Sequence, residues 1–194
     1  MNIGIYIYEQ AEVLDFAGPF EVFSTASRVA KPPAPFHVFL IGETDAPITA
    51  RGGFGVSPTY TFQNHPELDI LMVPGGIHTE EIKKPTVLDW IARESQLAQI
   101  VASVCTGAFL LAEAGVLATQ HVTTHWQDIP DLRKAYPNLT VLESKRWMDE
   151  GRIITSAGIS AGIDMSLHLV SRLADRELAI RTAKQMDFSW DEMA

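Results

Sequence analysis

The chain's single cysteine, Cys105, stands where an apolar, β-branched run, Ile100-Val101-Ala102-Ser103-Val104, gives way to the small, leucine-rich run Thr106-Gly107-Ala108-Phe109-Leu110-Leu111. A strand that passes into a helix with almost no loop crowds the backbone at its apex. Small residues are then needed two positions before and after it, and Ser103 and Gly107 supply them. The pattern is a nucleophile elbow carrying sulfur in place of hydroxyl. At a helix N-terminus, unpaired N–H groups and the helix dipole favour thiolate, so the placement predicts a thiol pKa below about 8.5. The competing role for a lone cysteine in an apolar stretch is a small core residue; the elbow context favours the nucleophile.

Four further groups follow predicted strands. Asp15 comes after Asn2-Ile3-Gly4-Ile5-Tyr6-Ile7-Tyr8, a run whose near-continuous apolarity fits a strand buried on both faces. Pro74, Gly75 and Gly76 cut the strand Leu68 to Val73, and their glycines let backbone N–H groups approach a substrate atom. A plain tight turn is the other reading of that tripeptide. His125 ends the short strand His121 to Trp126, and Gly158 opens the loop after Arg152 to Ser156. Asp15 is also placed to cap the helix that begins beside it.

The elements that must position these groups alternate between strand and helix. A helix with Pro19 in its first turn runs to about Val29, and three prolines between Lys31 and Pro35 stop it. Phe36 to Ile41 reads as a strand, and the turn-rich stretch from Gly42 to Asn64 as a small hairpin excursion. Helices are predicted over Pro85–Ser95, after Cys105, over Ile129–Tyr136, from Ile163 to about Ala174, and from Arg176 to about Met186. Further strands are Val141–Glu143 and Arg152–Ser156, with a turn within Trp147–Gly151. Such alternation implies βαβ crossovers and a mostly parallel sheet covered on both faces. In that architecture the carboxyl edge of the strands carries the site.

Composition narrows the class. With 194 residues and 46% hydrophobic content, the chain suits one domain over 1–194 with one well-buried core. Fifteen Lys and Arg against 24 Asp and Glu give a formal charge of -9, which argues against a nucleic-acid surface. One cysteine excludes an intrachain disulfide and a multi-cysteine zinc site, and a free thiol fits a reducing compartment, the cytoplasm by default. The six histidines show no ligand spacing, so neither a metal nor another cofactor is expected. The tract from Ile100 to Ala118 contains Ser103, Thr106, Gly107, Glu113 and Gly115 and reads as buried strand plus helix, with no membrane partner implied. Trp126, Trp147 and the aromatics after Asp15 suit either core or pocket.

Taken in order, Leu14-Asp15-Phe16-Ala17-Gly18-Pro19, Val73-Pro74-Gly75-Gly76, Ser103-Val104-Cys105-Thr106-Gly107-Ala108, Thr123-Thr124-His125-Trp126 and Thr155-Ser156-Ala157-Gly158-Ile159-Ser160-Ala161-Gly162-Ile163-Asp164 resemble the DJ-1/PfpI superfamily. The resemblance is strongest to two branches with a glutamine-amidotransferase-like domain, the bacterial isocyanide hydratases and the sensor half of AraC-type regulators. It implies a flavodoxin-like α/β three-layer sandwich, usually a homodimer. It makes Cys105 the elbow nucleophile, Asp15 its acidic partner and Thr106 the threonine that isocyanide hydratases place beside the nucleophile. PfpI-type proteases have histidine in the position of Thr106, so their dyad is absent here. His125 falls where several relatives have a histidine near the cysteine; it either serves the sulfur or satisfies buried backbone or Thr124.

The activity implied is hydration of an isocyanide to an N-substituted formamide, a hydro-lyase reaction on a small molecule. Gly75, Gly76 and Gly158 are expected around the substrate, with N–H groups of Gly76 and of the elbow steadying developing charge. The alternative is a redox or metabolite sensor in which Cys105 oxidises. AraC-type relatives continue into a basic helix-turn-helix region, whereas here the chain reads to an acidic tail, Asp187 to Glu192. DNA binding by that route is therefore not expected.

Overall fold

Parallel strands buried on both faces need continuous apolar runs, and the chain supplies several. The structure, a computed structural model, describes residues 1–192; the last two residues of the single-domain reading over 1–194 lie outside them. In chain order the first half contains β1 (Asn2–Tyr6), α1 (Val13–Val29), β2 (His37–Gly42), β3 (Ile48–Ala50), β4 (Phe54–Val56), β5 (Tyr60–Thr61), β6 (Ile70–Val73) and α2 (Pro85–Leu97). The second half contains β7 (Ile100–Val104), α3 (Gly107–Glu113), β8 (His121–Val122), α4 (Ile129–Ala135), β9 (Thr140–Val141), β10 (Trp147–Glu150), β11 (Ile153–Ser156), α5 (Ala161–Leu173) and α6 (Arg176–Gln185). Every residue of β6 and β7 is buried, as a central position requires.

The seven-stranded sheet has the order β10-β11-β7-β6-β1-β2-β5, parallel throughout except for the β10–β11 pair. Its inner five strands, β2-β1-β6-β7-β11, follow the flavodoxin order, in which the chain reverses direction between the first strand and its neighbour on the other side. That reversal lies between β1 and β6 and opens a crevice at their carboxyl ends. Right-handed crossovers then put helices on opposite faces. Helices α1, α5 and α6 pack together as one layer, and α2 packs with α3 in the other. The expected hairpin between Gly42 and Asn64 is the antiparallel pair β3–β4.

Two local expectations need correction. Pro19 lies inside α1, which starts at Val13. The imide nitrogen cannot donate to the Asp15 carbonyl, and the helix accepts the missing bond because it lies within its first two turns, where Pro19 is buried against the core. Trp147–Glu150 is the edge strand β10, and the expected turn is confined to the end of that stretch, at Gly151 with φ 81°. Asp149 accepts the Gly151 N–H at 2.7 Å and closes that turn.

Candidate active site

The elbow is built as the residue types require. Cys105 has φ 55°, a left-handed conformation uncommon outside glycine. Three hydrogen bonds hold it there: its N–H donates to the Ser156 and Ala157 carbonyls at 3.1 and 3.3 Å, and the Thr124 hydroxyl donates to its carbonyl at 2.8 Å. Gly107 is obligatory, because a Cβ at that position would stand 2.1 Å from the Val73 carbonyl oxygen. Cys105 is 7% exposed, and that exposure opens into a cavity of about 290 Å³.

Asp15 reaches the sulfur from the first turn of α1. The segment before it is clamped to the glycine loop: Glu12 N–H donates to the Gly75 carbonyl at 2.9 Å, Ile77 N–H donates to the Gln10 carbonyl at 3.1 Å, and Ala11 bridges to Gly76. The Asp15 carboxyl caps no helix. One oxygen accepts the Gly75 N–H at 3.0 Å, the other accepts the Ile159 N–H at 3.1 Å, and the Cys105 thiol is hydrogen-bonded to the same group. Ile159 has φ 60°, a strained conformation for a β-branched residue, and in it the N–H turns toward the carboxyl.

The thiol does not behave as helix-end reasoning predicts. Burial, followed by the charge of Asp15, pushes the Cys105 thiol far above its ordinary range and outweighs the favourable Thr106 N–H. Burial likewise raises the Asp15 carboxyl from its ordinary 3.8 to about 7, against the opposing pull of the Gly75 and Ile159 N–H groups. The resting pair is a thiol hydrogen-bonded to a carboxyl poised near neutrality.

The glycine loop also does something other than expected. The Gly75 N–H is committed to Asp15, and the Gly76 N–H donates to Thr106 Oγ1 at 2.9 Å. The Thr106 hydroxyl returns a bond to the Gly76 carbonyl at 3.0 Å. These two N–H groups therefore organise the acid and the elbow, while Gly76 still lines the cavity. The small size of Gly75 is required, since a Cβ there would lie 2.5 Å from the Thr106 nitrogen. Gly158 is required for His125: a Cβ would stand 2.2 Å from its Cδ2. His125 lines the cavity with Cys105, and its Nδ1 is 3.3 Å from Asp128. Thr124 serves the elbow carbonyl, so His125 is not needed for that task.

Sequence reasoning missed several groups around the cavity. Asp128 lies close enough to oppose ionisation of the thiol. Glu12 and Arg51 form an ion pair at 3.2 Å on the cavity wall, Arg51 coming from the turn between β3 and β4. His78 packs on the Phe109 ring, and burial pushes its pKa down, which keeps the imidazole neutral. Only the Gly52-Gly53 turn beside Arg51 was visible as a signal. Trp126 is 74% exposed and borders a second groove that adjoins the cavity at His125 and Ile159, whereas Trp147 stacks on His168.

Comparison with known proteins bears on the family and the fold. Residues 1–172 match the DJ-1/PfpI family. Isonitrile hydratase of Pseudomonas putida is 31% identical, over 97% of this chain and 79% of that protein. The HTH-type transcriptional regulator CdhR of Pseudomonas aeruginosa is 28% identical over 89% of this chain but only 51% of its own length. The chain thus spans about half of that regulator. Among solved structures, a ThiJ/PfpI family protein from Pseudomonas syringae superposes with a TM-score of 0.87 at 24% identity, covering 100% of this chain and 77% of that one. Drosophila melanogaster DJ-1beta superposes with a TM-score of 0.83 at 18% identity, over 97% and 98% of the two chains. At these identities the structural likeness is one of fold. Among the described residues no helix is long and apolar enough to cross a membrane.

Proposed function

The chain belongs to the DJ-1/PfpI family, and we propose that within it Cys105 hydrates a small electrophile, an isocyanide giving an N-substituted formamide. One observation carries the reading: the only thiol of the chain opens into a cavity while hydrogen-bonded to a carboxyl whose pKa is raised to about 7. The likeness to an isonitrile hydratase supports the choice of substrate.

The chemistry needs no preformed thiolate. Ionised Asp15 takes the thiol proton as sulfur attacks the terminal carbon of the isocyanide, and the same proton is then delivered to that carbon. The net step adds S–H across one carbon and leaves a thioimidate, Cys–S–CH=N–R. Water then adds, hydroxyl to carbon and proton to nitrogen. Collapse breaks the C–S bond, moves the hydroxyl proton back to sulfur and releases R–NH–CHO. Asp15 ends as it began. A carboxyl poised near pH 7 suits both halves, because it must accept a proton and return it within one turnover. With Thr106 bound to Gly76, no histidine adjoins the nucleophile in the chain, which disfavours peptidase chemistry.

The test is incubation of the protein with alkyl and aryl isocyanides and detection of the formamide by mass spectrometry. Product is expected from the wild type and none from Cys105→Ala with its fold intact. Formamide from Cys105→Ala refutes the nucleophile; none from the wild type across several isocyanides refutes the substrate. The likeness to transcription regulators favours a second reading, a non-catalytic sensor whose cavity binds or whose thiol reports a small molecule.

A further inference from the structure

Tyr8 lies just beyond β1 and is 3% exposed. Its hydroxyl donates to the Pro74 carbonyl at 3.4 Å, and its ring stacks on Tyr6 with centroids 5.5 Å apart. The Pro74 carbonyl and the Gly75 N–H are the two ends of one peptide group. In a planar trans unit these ends point in opposite directions, so restraining the oxygen restrains the N–H. The N–H end is the one that meets Asp15 at 3.0 Å. We propose that Tyr8 is a positioning residue of the Cys105–Asp15 pair: its hydroxyl holds the Pro74–Gly75 peptide so that the Gly75 N–H stays aimed at the Asp15 carboxylate.

The loop needs an external restraint. Gly75 and Gly76 are consecutive, Gly76 sits at φ 142°, and glycine peptide planes turn easily. Thr106 secures the far side of Gly76 through its reciprocal bonds. Tyr8 secures the near side of Gly75. The ring beneath Tyr8 is itself anchored, because the buried Tyr6 hydroxyl bonds to Glu81, which pairs with Lys84 at 3.0 Å. Burial, with the charges of Asp15, Glu81 and Cys105, keeps Tyr8 protonated well above pH 10, so it donates throughout the working range. The titratable groups acting on Asp15 are Glu12 and Cys105; those acting on the thiol are Asp15 and Asp128.

Tyr8→Phe keeps the ring and removes only the hydroxyl. Infrared difference titration of the folded protein follows the protonated carboxyl band of Asp15, assigned by its loss in Asp15→Asn. A loosened Gly75 N–H stabilises the carboxylate less, so the midpoint is expected to rise by about half a pH unit. With any substrate that turns over, kcat falls while KM stays. Site-specific 3,5-difluorotyrosine at position 8, a stronger donor of nearly the same shape, moves the midpoint the other way. A wild-type midpoint in Tyr8→Phe overturns the proposal. If that variant fails to fold, an unchanged midpoint in the fluorinated protein overturns it equally. The infrared measurement uses no substrate, so its failure is separable from failure of the isocyanide reading.

Discussion

Replacing Asp15 with Asn tests the whole electrostatic account of the site. The carboxyl is 1% exposed, and its pKa stands at about 7 in the fold against 3.8 in a free chain. Between those values the folded protein holds a proton that the unfolded chain has released. Stability from this group is therefore fully present below about pH 4 and is lost as pH rises through about 7. A shift of about three units at 1.36 kcal/mol each gives a loss of about 4 kcal/mol across that window. Asn carries no such titration, although its amide can satisfy only one of the two N–H donors of Gly75 and Ile159. Asp15→Asn is accordingly offset from the wild type by a constant, and the difference between the two curves slopes. The assay is urea unfolding of both proteins from about pH 4 to about pH 8. Groups common to both chains cancel, so the wild type should lose about 4 kcal/mol relative to the variant as pH rises. Repeating the pair in a Cys105→Ala background removes the thiol hydrogen bond that favours the carboxylate and moves the slope to still higher pH. Parallel curves would show that Asp15 ionises in the fold as it does in water, and the proton-transfer role would fall with its raised pKa.

The same pKa sets the activity profile: turnover should rise with pH through about 7 as Asp15 ionises, and a profile flat from about pH 5 to 9 would remove it as the base. Thr106→Val preserves shape but deletes both bonds to Gly76; the unmade pair is expected to cost about 1–3 kcal/mol in urea unfolding, and no loss would mean that the loop is held elsewhere. Gly158→Ala drives a methyl into the His125 ring, so the ring must leave Asp128. The expected outcome is a shifted histidine side-chain NMR signal and reduced turnover, with a stability change of about 1–3 kcal/mol; an unmoved ring would contradict the packing.

What could be read from the sequence was set by range along the chain. The elbow was legible because its causes are local: a β-branched run, one cysteine and a glycine two residues on lie within a dozen positions. The convergence of Asp15, Gly75 and Gly158 on Cys105 followed from strand alternation, because every parallel strand of the central sheet delivers its carboxyl end to one edge. His125 arrives otherwise, since the strand expected to carry it is only His121–Val122 and pairs with β9 outside that sheet. The hidden features depend on pairings that no periodicity records. Arg51 and Glu12 meet across a hairpin, and Asp128 approaches the sulfur from the turn before α4. Tyr8 read as one more apolar strand residue, since nothing in its neighbours shows that its hydroxyl meets Pro74.

The thiol pKa went astray for a reason that bears on the chemistry. A helix of seven residues beginning at Gly107 offers the sulfur one backbone N–H from Thr106, a local and modest stabilisation of thiolate. Against it stand the loss of water around a buried sulfur and a carboxylate in hydrogen-bond contact, and both favour the thiol. The first effect is visible in sequence and the second only in the folded core, so local reasoning was bound to overstate the first. The consequence is that nucleophilicity here is conditional. In the proposed reaction sulfur becomes anionic only when Asp15 takes its proton, and the Gly75 and Ile159 N–H groups, which meet that carboxyl, are in place to receive the charge. Activation thus belongs to the assembled crevice and not to the elbow alone, which is why two glycines, a strained isoleucine and a buried tyrosine surround a single proton.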